Sequence, residues 1–187
     1  AKSDYSLRLR VPVQMNDVLG DSGHDLGDAS VMLTHVFGLT RTHGWVFQGE
    51  AVFDTAARPE LGTGKDVLKG TLIYARFLPT GAIFAPALVQ SNSVSGQARR
   101  ADVNTTTLDF YYVPKLADPR NLVTVDPAVN LDWENDKEFL SLAVTFGRVT
   151  GPAFGGVGIV TVKPSLFAGG DRPADWGIEI GYKVLGF

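Results

Sequence analysis

Cysteine is absent from the 187-residue chain, and its absence excludes whole classes of chemistry. Without a thiol the protein has no disulfides, no thiol nucleophile and no thiolate metal site. Histidine is nearly as scarce, since His24, His35 and His43 are its only representatives. A histidine-rich metal site is therefore not expected. We predict a protein that uses neither a metal nor another cofactor.

Long apolar runs are missing as well. No stretch approaches the roughly 18 consecutive apolar residues that a helical membrane span requires. The 21 glycines and 10 prolines are scattered through the chain and argue against long helices. If this protein lies in a membrane, it must cross as strands, because only helices and closed barrels satisfy their backbone polar groups in lipid.

A strong charge of one sign is also lacking, since the formal net charge is -3. No basic patch is interleaved with aromatic residues, so nucleic acid is not an expected partner. The length suits one sizeable domain and is short for two. We therefore predict a single domain over residues 1–187.

The chain does contain apolar residues that alternate with a period of two. The clearest case is residues 122–133, LVTVDPAVNLDW, whose odd positions are apolar and whose even positions are mostly polar. This pattern indicates a strand with an apolar side and a polar side. An unpaired Asp126 would be costly in a dry core, so the polar side should meet water or paired charges. Pro127 predicts a bulge or an irregular edge, because proline lacks the N–H that a ladder needs.

Similar alternation recurs along the chain and predicts about ten strands and no helix. The predicted strands are 5–15, 28–37, 45–55, 67–78, 82–91, 105–113, 122–133, 139–149, 157–167 and 176–187. Their connections alternate, on average, between long and short. The longer set is 16–27, 56–66, 91–104, 134–138 and 168–175, and the shorter set is 38–44, 79–81, 114–121 and 150–156. Outer-membrane barrels have this arrangement, with short periplasmic turns and longer outer loops. The fold class that we predict is all-β, an antiparallel up-and-down transmembrane β-barrel of about ten strands.

Four segments, in the same order along the chain, resemble a known family. They are LGTGK at 61–65, RADVN at 100–104, DWENDK at 132–137 and the closing GDRPADWGIEIGYKVLGF at 170–187. The chain resembles the outer-membrane proteins known as meta-pathway phenol-degradation proteins, which are also described as transporters. The resemblance implies a bacterial outer-membrane barrel that admits hydrophobic or aromatic compounds. N-terminal strands of the longer members have no counterpart here, which implies a shortened version of the larger family barrel.

The alternation divides the strand residues into two predicted sets. Lipid-facing positions are Leu7, Leu9, Val11, Val123, Val125, Val129 and Leu131. Lumen-lining positions are Arg8, Arg10, Glu50, Asp54, Asp109, Asp126, Asn130, Asp132, Lys163, Glu179 and Lys183. Charges of both signs fit two structures equally well, a narrow lumen sealed by salt bridges or a water-filled path with selective charges.

The predicted function is a passive channel or uptake route for small, hydrophobic or aromatic molecules, without enzymatic activity, and its partner is the lipid bilayer. The first alternative is a structural outer-membrane barrel that conducts nothing and binds a partner envelope protein. The second is an enzyme, a protease or lipid hydrolase, with Asp21, His24, Asp25 and Asp28 at the barrel rim. The third is a soluble lipocalin-like barrel, which would turn the valines inward around a ligand.

Overall fold

The computed structural model describes residues 4–16, 23–58 and 61–185. It consists of strands joined by turns and loops. The strands are β1 (Tyr5–Arg10), β2 (Val13–Asn16), β3 (Gly23–Leu26), β4 (Ser30–Phe37), β5 (His43–Val52), β6 (Lys65–Phe77), β7 (Ile83–Gly96), β8 (Asn104–Val113), β9 (Asn121–Asp132), β10 (Lys137–Ala153), β11 (Gly156–Ala168) and β12 (Trp176–Leu185). In the described part of the chain, no helix is long and apolar enough to cross a membrane.

Ten of the strands form one antiparallel sheet in the order β1-β4-β5-β6-β7-β8-β9-β10-β11-β12. The prediction of an all-β protein with about ten antiparallel strands is confirmed. The sheet is curled, because Arg10 on its first strand lies 3.6 Å from Glu179 on its last. In a flat sheet, nine steps of about 4.8 Å would hold these strands roughly 43 Å apart. The described strand order contains no backbone ladder between β1 and β12.

The first predicted strand, 5–15, is not continuous. It ends as β1 at Arg10, and the chain resumes as β2, which pairs only with β3 in a separate two-stranded sheet. The break falls at Val11 and Pro12, where proline cannot donate to a ladder. The Pro12 carbonyl instead accepts a hydrogen bond from the Gly27 N–H at 2.9 Å. The region predicted as a loop, 16–27, therefore contains a strand, and Val11 lies outside the main sheet.

Pro127, unlike Pro12, does not interrupt its strand. Its ladder with β10 runs without a shift, and Pro127 pairs with Leu142. On the β8 side, Asp109 pairs with Ala128 and Tyr112 with Val125, so the register is the same on both sides of the proline. The predicted bulge is wrong, whereas the alternative prediction of irregular pairing fits the β8 side. Between its ends, the β8–β9 ladder lacks only the pairs around Pro127. Proline has no backbone N–H to donate to that ladder.

Some strands are longer than predicted, and the connection predicted at 150–156 shrinks to a two-residue turn. Phe154 and Gly155 both have positive φ, 49° and 81°, as a tight hairpin that matches the twist of its strands requires. Strand β7 continues to Gly96, which shortens the next loop to 97–103. The connections at one end of the sheet are still longer on average than those at the other, although the β9–β10 turn is shorter than the β8–β9 connection. We call these the long-loop end and the short-turn end.

The two faces of the sheet differ in chemistry. One row of cross-strand partners on the first face contains only apolar residues: Phe47, Leu72, Leu88, Leu108, Val129 and Leu140. We call this the apolar face. Its large side chains are exposed, from 38% for Leu108 to 54% for Leu140. The opposite, polar face holds the small and polar buried residues Ser30, Thr71, Ala87, Asp109, Ala128 and Ala143.

Aromatic residues line the apolar face near the short-turn end. Tyr5 stacks on His35 with ring centroids 4.2 Å apart, and His35 stacks on Phe37 at 5.5 Å. Trp45 and Tyr74 continue the line on β5 and β6 at 4.9 Å. We call Tyr5, His35, Phe37, Trp45 and Tyr74 the aromatic belt. His35 is out of place in the sequence pattern, and the structure explains it as a ring packed between two other rings.

Candidate functional site

The polar face carries a chain of charged groups that crosses the gap between the first and last strands. Glu179 on β12 lies 3.6 Å from Arg10 on β1 and 3.9 Å from Lys163 on β11. Its side chain is 52% exposed, so each ion pair contributes at most about 1 kcal/mol. Lys183 lies on the same face of β12 and near Arg8. The arrangement brings together charges that are about 170 residues apart in sequence.

An acidic cluster on β8 and β9 adjoins this chain of charges. The Asp109 side chain is buried, with the residue 7% exposed, and it accepts a hydrogen bond from the Tyr111 hydroxyl at 3.1 Å. Asp126 lies within hydrogen-bonding reach of Asp109. The positive charge of Lys163 interacts electrostatically with both carboxyl groups. Among the described residues, Asp126 Oδ1 is buried without a hydrogen-bond partner. A buried unpaired carboxylate oxygen is costly unless water or a ligand reaches it.

Small side chains lie beside the acidic cluster on the polar face. Ala128 pairs with Asp109, and Ala143 pairs with Asp126. Ala87 lies on the other side of Asp109. A methyl group at each of these positions leaves room where a larger side chain would cover the carboxylates. The side chains next to the cluster are therefore small, while Asp109 and Asp126 Oδ1 are themselves buried.

Neutral polar groups form a second line across the polar face. Thr107 donates to the Asn130 side-chain oxygen at 3.1 Å, and the Asn130 amide donates to Ser141 at 3.0 Å. On β4 to β6 of the same face, Ser30 donates to Glu50 at 2.5 Å, and Glu50 pairs in register with Lys69. Lys69 is a polar-face cation that the sequence pattern missed, because the alternation of residues 67–78 is poor. Tyr111, Thr107 and Ser141 also lie on the polar face, but uncharged hydroxyl groups do not stand out in the sequence as lumen candidates.

Two predicted lumen residues lie at the loops. Asp54 follows the end of β5 and accepts a hydrogen bond from the Gln97 amide at 3.0 Å. Asp132 ends β9, and its carboxylate accepts hydrogen bonds from the backbone N–H groups of Glu134 and Asn135 at 3.1 and 3.2 Å. Asp132 thus holds the β9–β10 turn, as aspartate commonly does. The other predicted positions, Arg8, Arg10, Glu50, Asp109, Asp126, Asn130, Lys163, Glu179 and Lys183, share the polar face.

Three of the four segments on which the family resemblance depends lie at the long-loop end, and the fourth begins there and continues as β12. LGTGK and RADVN touch, because Lys65 Nζ lies 2.8 Å from Asp102 and Arg100 donates to the Gly62 carbonyl at 2.8 Å. Gly64 has φ +70°, and a Cβ there would meet the Arg100 side chain. In the DWENDK segment, Trp133 Nε1 donates to the Thr106 hydroxyl at 2.8 Å. In the last segment, Arg172 and Asp175 form an ion pair at 2.7 Å.

The rim site proposed as an enzymatic alternative is only partly within the described residues. Asp21 lies outside them. The Asp28 carboxylate accepts hydrogen bonds from the N–H groups of Thr55, Ala56 and Thr63 at 3.2, 3.0 and 2.8 Å. Its oxygens are thus occupied in holding the loop between β5 and β6. In residues 4–16, 23–58 and 61–185, no three His, Asp or Glu side chains converge as a metal site.

The long-loop end also contains an open groove of about 410 Å³. Its lining includes Lys65, Asn92, Ser93, Asp102, Asn104 and Glu134. Lys65 supplies its positive charge and is already paired with Asp102. The groove therefore has no uncommitted cation with which to select an anionic ligand.

In comparisons with known proteins, no protein-family model, curated protein or solved structure matches the chain. The class that the structure defines is a curled, ten-stranded antiparallel sheet with one exposed apolar face and one polar face.

The Lys65–Asp102 contact gives a pH-dependent prediction. The hydrogen bond from Lys65, followed by that from Ser93, holds the pKa of Asp102 below its usual value of 3.8. A carboxyl group with a lowered folded pKa stabilises the fold above its unfolded pKa, and this contribution is lost as the pH falls through the folded pKa. We expect Asp102→Asn to lower the free energy of unfolding at neutral pH and to have little effect in acid well below pH 3.8.

Urea titrations of the two proteins at neutral and acid pH measure this difference. Glu134→Gln is the control, because Glu134 is an exposed carboxylate without such a contact, and it should leave stability unchanged at either pH. A deficit in Asp102→Asn that persists undiminished in acid would contradict the assigned role of the carboxylate.

Proposed function

We propose that this chain is an integral membrane β-barrel of the bacterial outer membrane that acts as a passive route for small molecules. The observation that supports it best is the exposure of large apolar side chains on the apolar face between β1 and β12, among them Leu7 at 60%, Leu108 at 38% and Ile180 at 75%. The largest apolar patch on a soluble monomer is usually a few hundred Å², so a continuous apolar surface over ten strands calls for a lipid environment. A soluble lipocalin-like barrel has the opposite arrangement, with its large apolar side chains inside.

The dimensions and borders of the apolar face also suit a bilayer. Strands of about 9 to 11 tilted residues cross the hydrocarbon core, and β5, β8 and β12 have 10 residues each. The aromatic belt supports one membrane interface, where tyrosine and tryptophan are enriched. At the other border, apolar Leu88 and Leu108 give way to Gln90, Asn92 and Asn104, which are hydrogen-bonded to one another at 3.1 to 3.2 Å.

The preference for hydrophobic or aromatic solutes comes from the resemblance to the meta-pathway phenol-degradation family. The polar face offers the buried acidic cluster of Asp109 and Asp126 beside small alanines, with Lys163 at its edge. This mixture of apolar methyl groups and a few polar groups suits a small molecule with one hydrogen-bonding substituent, such as a phenol.

A second candidate is a structural barrel that conducts nothing. The chain of charges from Lys163 through Glu179 to Arg10 favours it, because ion-paired side chains on the polar face can fill a narrow barrel.

Planar-bilayer recordings and liposome swelling separate the two candidates. We expect the refolded wild-type chain to give steps of current and to let small phenols into liposomes. We also expect Asp126→Asn to change the ratio of cation to anion permeability, because it removes a charge from the acidic cluster. A wild-type protein that inserts but passes neither ions nor solute would instead support the structural barrel.

Closure of the barrel can be tested with introduced cysteines, because the wild-type chain has none. Arg10 faces Glu179, so an antiparallel pairing of β1 with β12 would place Leu9 opposite Ile180. Directly opposite residues have Cα atoms about 4.5 to 5.5 Å apart, within the range for a disulfide. We expect the double variant Leu9→Cys, Ile180→Cys to form a disulfide that changes mobility on a denaturing gel.

The control pair is Leu9→Cys with Trp176→Cys, which is displaced by four residues or about 13 Å along β12. Crosslinking of the first pair alone supports a closed barrel in this register. Equal crosslinking of both pairs, or of neither, would contradict it.

The facing of the strands gives a further prediction. Arginine at Val125, on the apolar face of β9, should lower the free energy of unfolding by about 2 to 4 kcal/mol, the usual cost near the midplane of a barrel. Thr124→Arg, one residue away on the polar face, should cost much less because the side chain reaches water. Urea titration in lipid vesicles measures both, and equal tolerance of the two substitutions would refute the assigned facing.

A further inference from the structure

The two ends of the sheet carry different charges. At the short-turn end the cations outnumber the carboxylates. The cations are Arg41, Arg76, Lys115, Arg120 and Arg148, and the carboxylates are Asp4 and Asp118. At the long-loop end carboxylates are in excess, and the cations Lys65 and Arg172 are committed to ion pairs. The short-turn end is thus the basic end of the molecule.

Two of the basic side chains lie on the apolar face itself. Arg76 is exposed near the end of β6, on the same face as Leu72 and Tyr74, and pairs in register with His43 and Phe84. Among the described residues, no carboxylate or side-chain acceptor contacts its guanidinium group. Arg148 is exposed on the same face of β10, next to Phe146 on that face, and makes one hydrogen bond, to Asn121 Oδ1 at 2.6 Å. The Asp118 carboxylate also lies close enough to interact with its charge.

The position of these arginines relative to the aromatic belt sets the depth at which they would lie in a bilayer. Tyr74 belongs to the belt, and Arg76 is the next residue of β6 on the same face toward the short-turn end. Belt aromatics sit at the level of the lipid headgroups. Long basic side chains just beyond them extend their charged ends toward the phosphates while their stems stay in apolar surroundings.

We propose that the short-turn end binds anionic phospholipid headgroups through Arg76 and Arg148, with Arg41 in the adjoining β4–β5 turn adding to the attraction. This inference rests on the proposed membrane barrel and adds to it a preference for anionic lipid at the short-turn end. The two arginines stand on separate strands, β6 and β10, and do not converge on one point. Such spacing suits several lipid molecules around a barrel and does not form a pocket for one soluble anion.

The test compares refolding of the full chain into two kinds of vesicle, phosphatidylcholine alone and phosphatidylcholine mixed with phosphatidylglycerol. We expect the wild-type chain to partition more strongly into the anionic vesicles at low salt and to lose this preference at high salt. The double variant Arg76→Gln, Arg148→Gln should lose about fivefold in that preference for each cation removed. Arg76→Lys, Arg148→Lys keeps both charges and should keep the preference, even if the new side chains pack less well.

The matched control is Arg99→Gln, Lys137→Gln, which removes two exposed cations from the long-loop end and should leave the preference intact. Loss of the preference in the control to the same extent, or its retention in the Arg76→Gln, Arg148→Gln variant, overturns the inference. So does a wild-type chain that inserts equally well into both vesicles, and in that case insertion itself still upholds the barrel. A wild-type chain that inserts into neither refutes the membrane barrel, and the lipid preference falls with it.

Discussion

The structure depends on one constraint, the two-residue period of a β-strand applied across ten hydrogen-bonded neighbours. Residues that are cross-strand partners lie on the same face of the sheet. An apolar residue on one strand therefore has its partner on the apolar face of the next strand. The row from Phe47 through Leu72 and Leu88 to Leu140 is the result. A slip of one residue in any strand would move that strand's polar residues to the apolar face. The register is therefore strongly determined by the different chemistry of the two faces.

The prolines show how firmly the ladder holds. Pro86 on β7 and Pro127 on β9 both lie within interior strands of the sheet, where proline removes a ladder donor. Each proline remains paired with one neighbouring strand, and the ladder with that strand has no register shift. Pro86 pairs with Phe110, and Pro127 pairs with Leu142. The hydrogen bonds on either side keep the strands aligned, so the cost of each proline stays local. Pro12 differs because it stands at the edge strand, where one partner is too few to hold the chain in the sheet.

The strands could be predicted from the sequence because alternation is a local property. Residues 122–133 and 105–113 contain their whole signal, and both became strands within a residue or so of the expected bounds. The C-terminal ends of β7 and β10 could not be predicted, because glycine and serine near the turns read as loop residues while the neighbouring strand supplied hydrogen bonds. The β2–β3 hairpin was missed for a similar reason. Its alternating residues continue the pattern of β1, and only the tertiary structure shows that they pair elsewhere.

The polar cluster was predictable in membership but not in arrangement. Asp109, Asp126, Lys163 and Glu179 are recognisable as charges on the polar side of their strands. Their contacts depend on the shear between strands, which places Lys163 near Asp126 two strands away and Glu179 beside Arg10 at the far end of the chain. Shear is set by all the registers together, so no single segment of sequence encodes it.

The location of the family-like segments limits what the resemblance can imply. Gly64 needs its positive φ, Asp132 caps a turn, and Arg172 holds a loop through Asp175 and the Gly169 carbonyl. These are the requirements of tight connections at the long-loop end, and any solute path would reach them only at its mouth. The sharpest sequence signatures therefore concern how neighbouring strands are joined. A solute preference would depend on the less distinctive residues of the polar face, such as Ala128, Asn130 and Ala143, whose size and hydrogen bonding determine what can lie against Asp109 and Asp126.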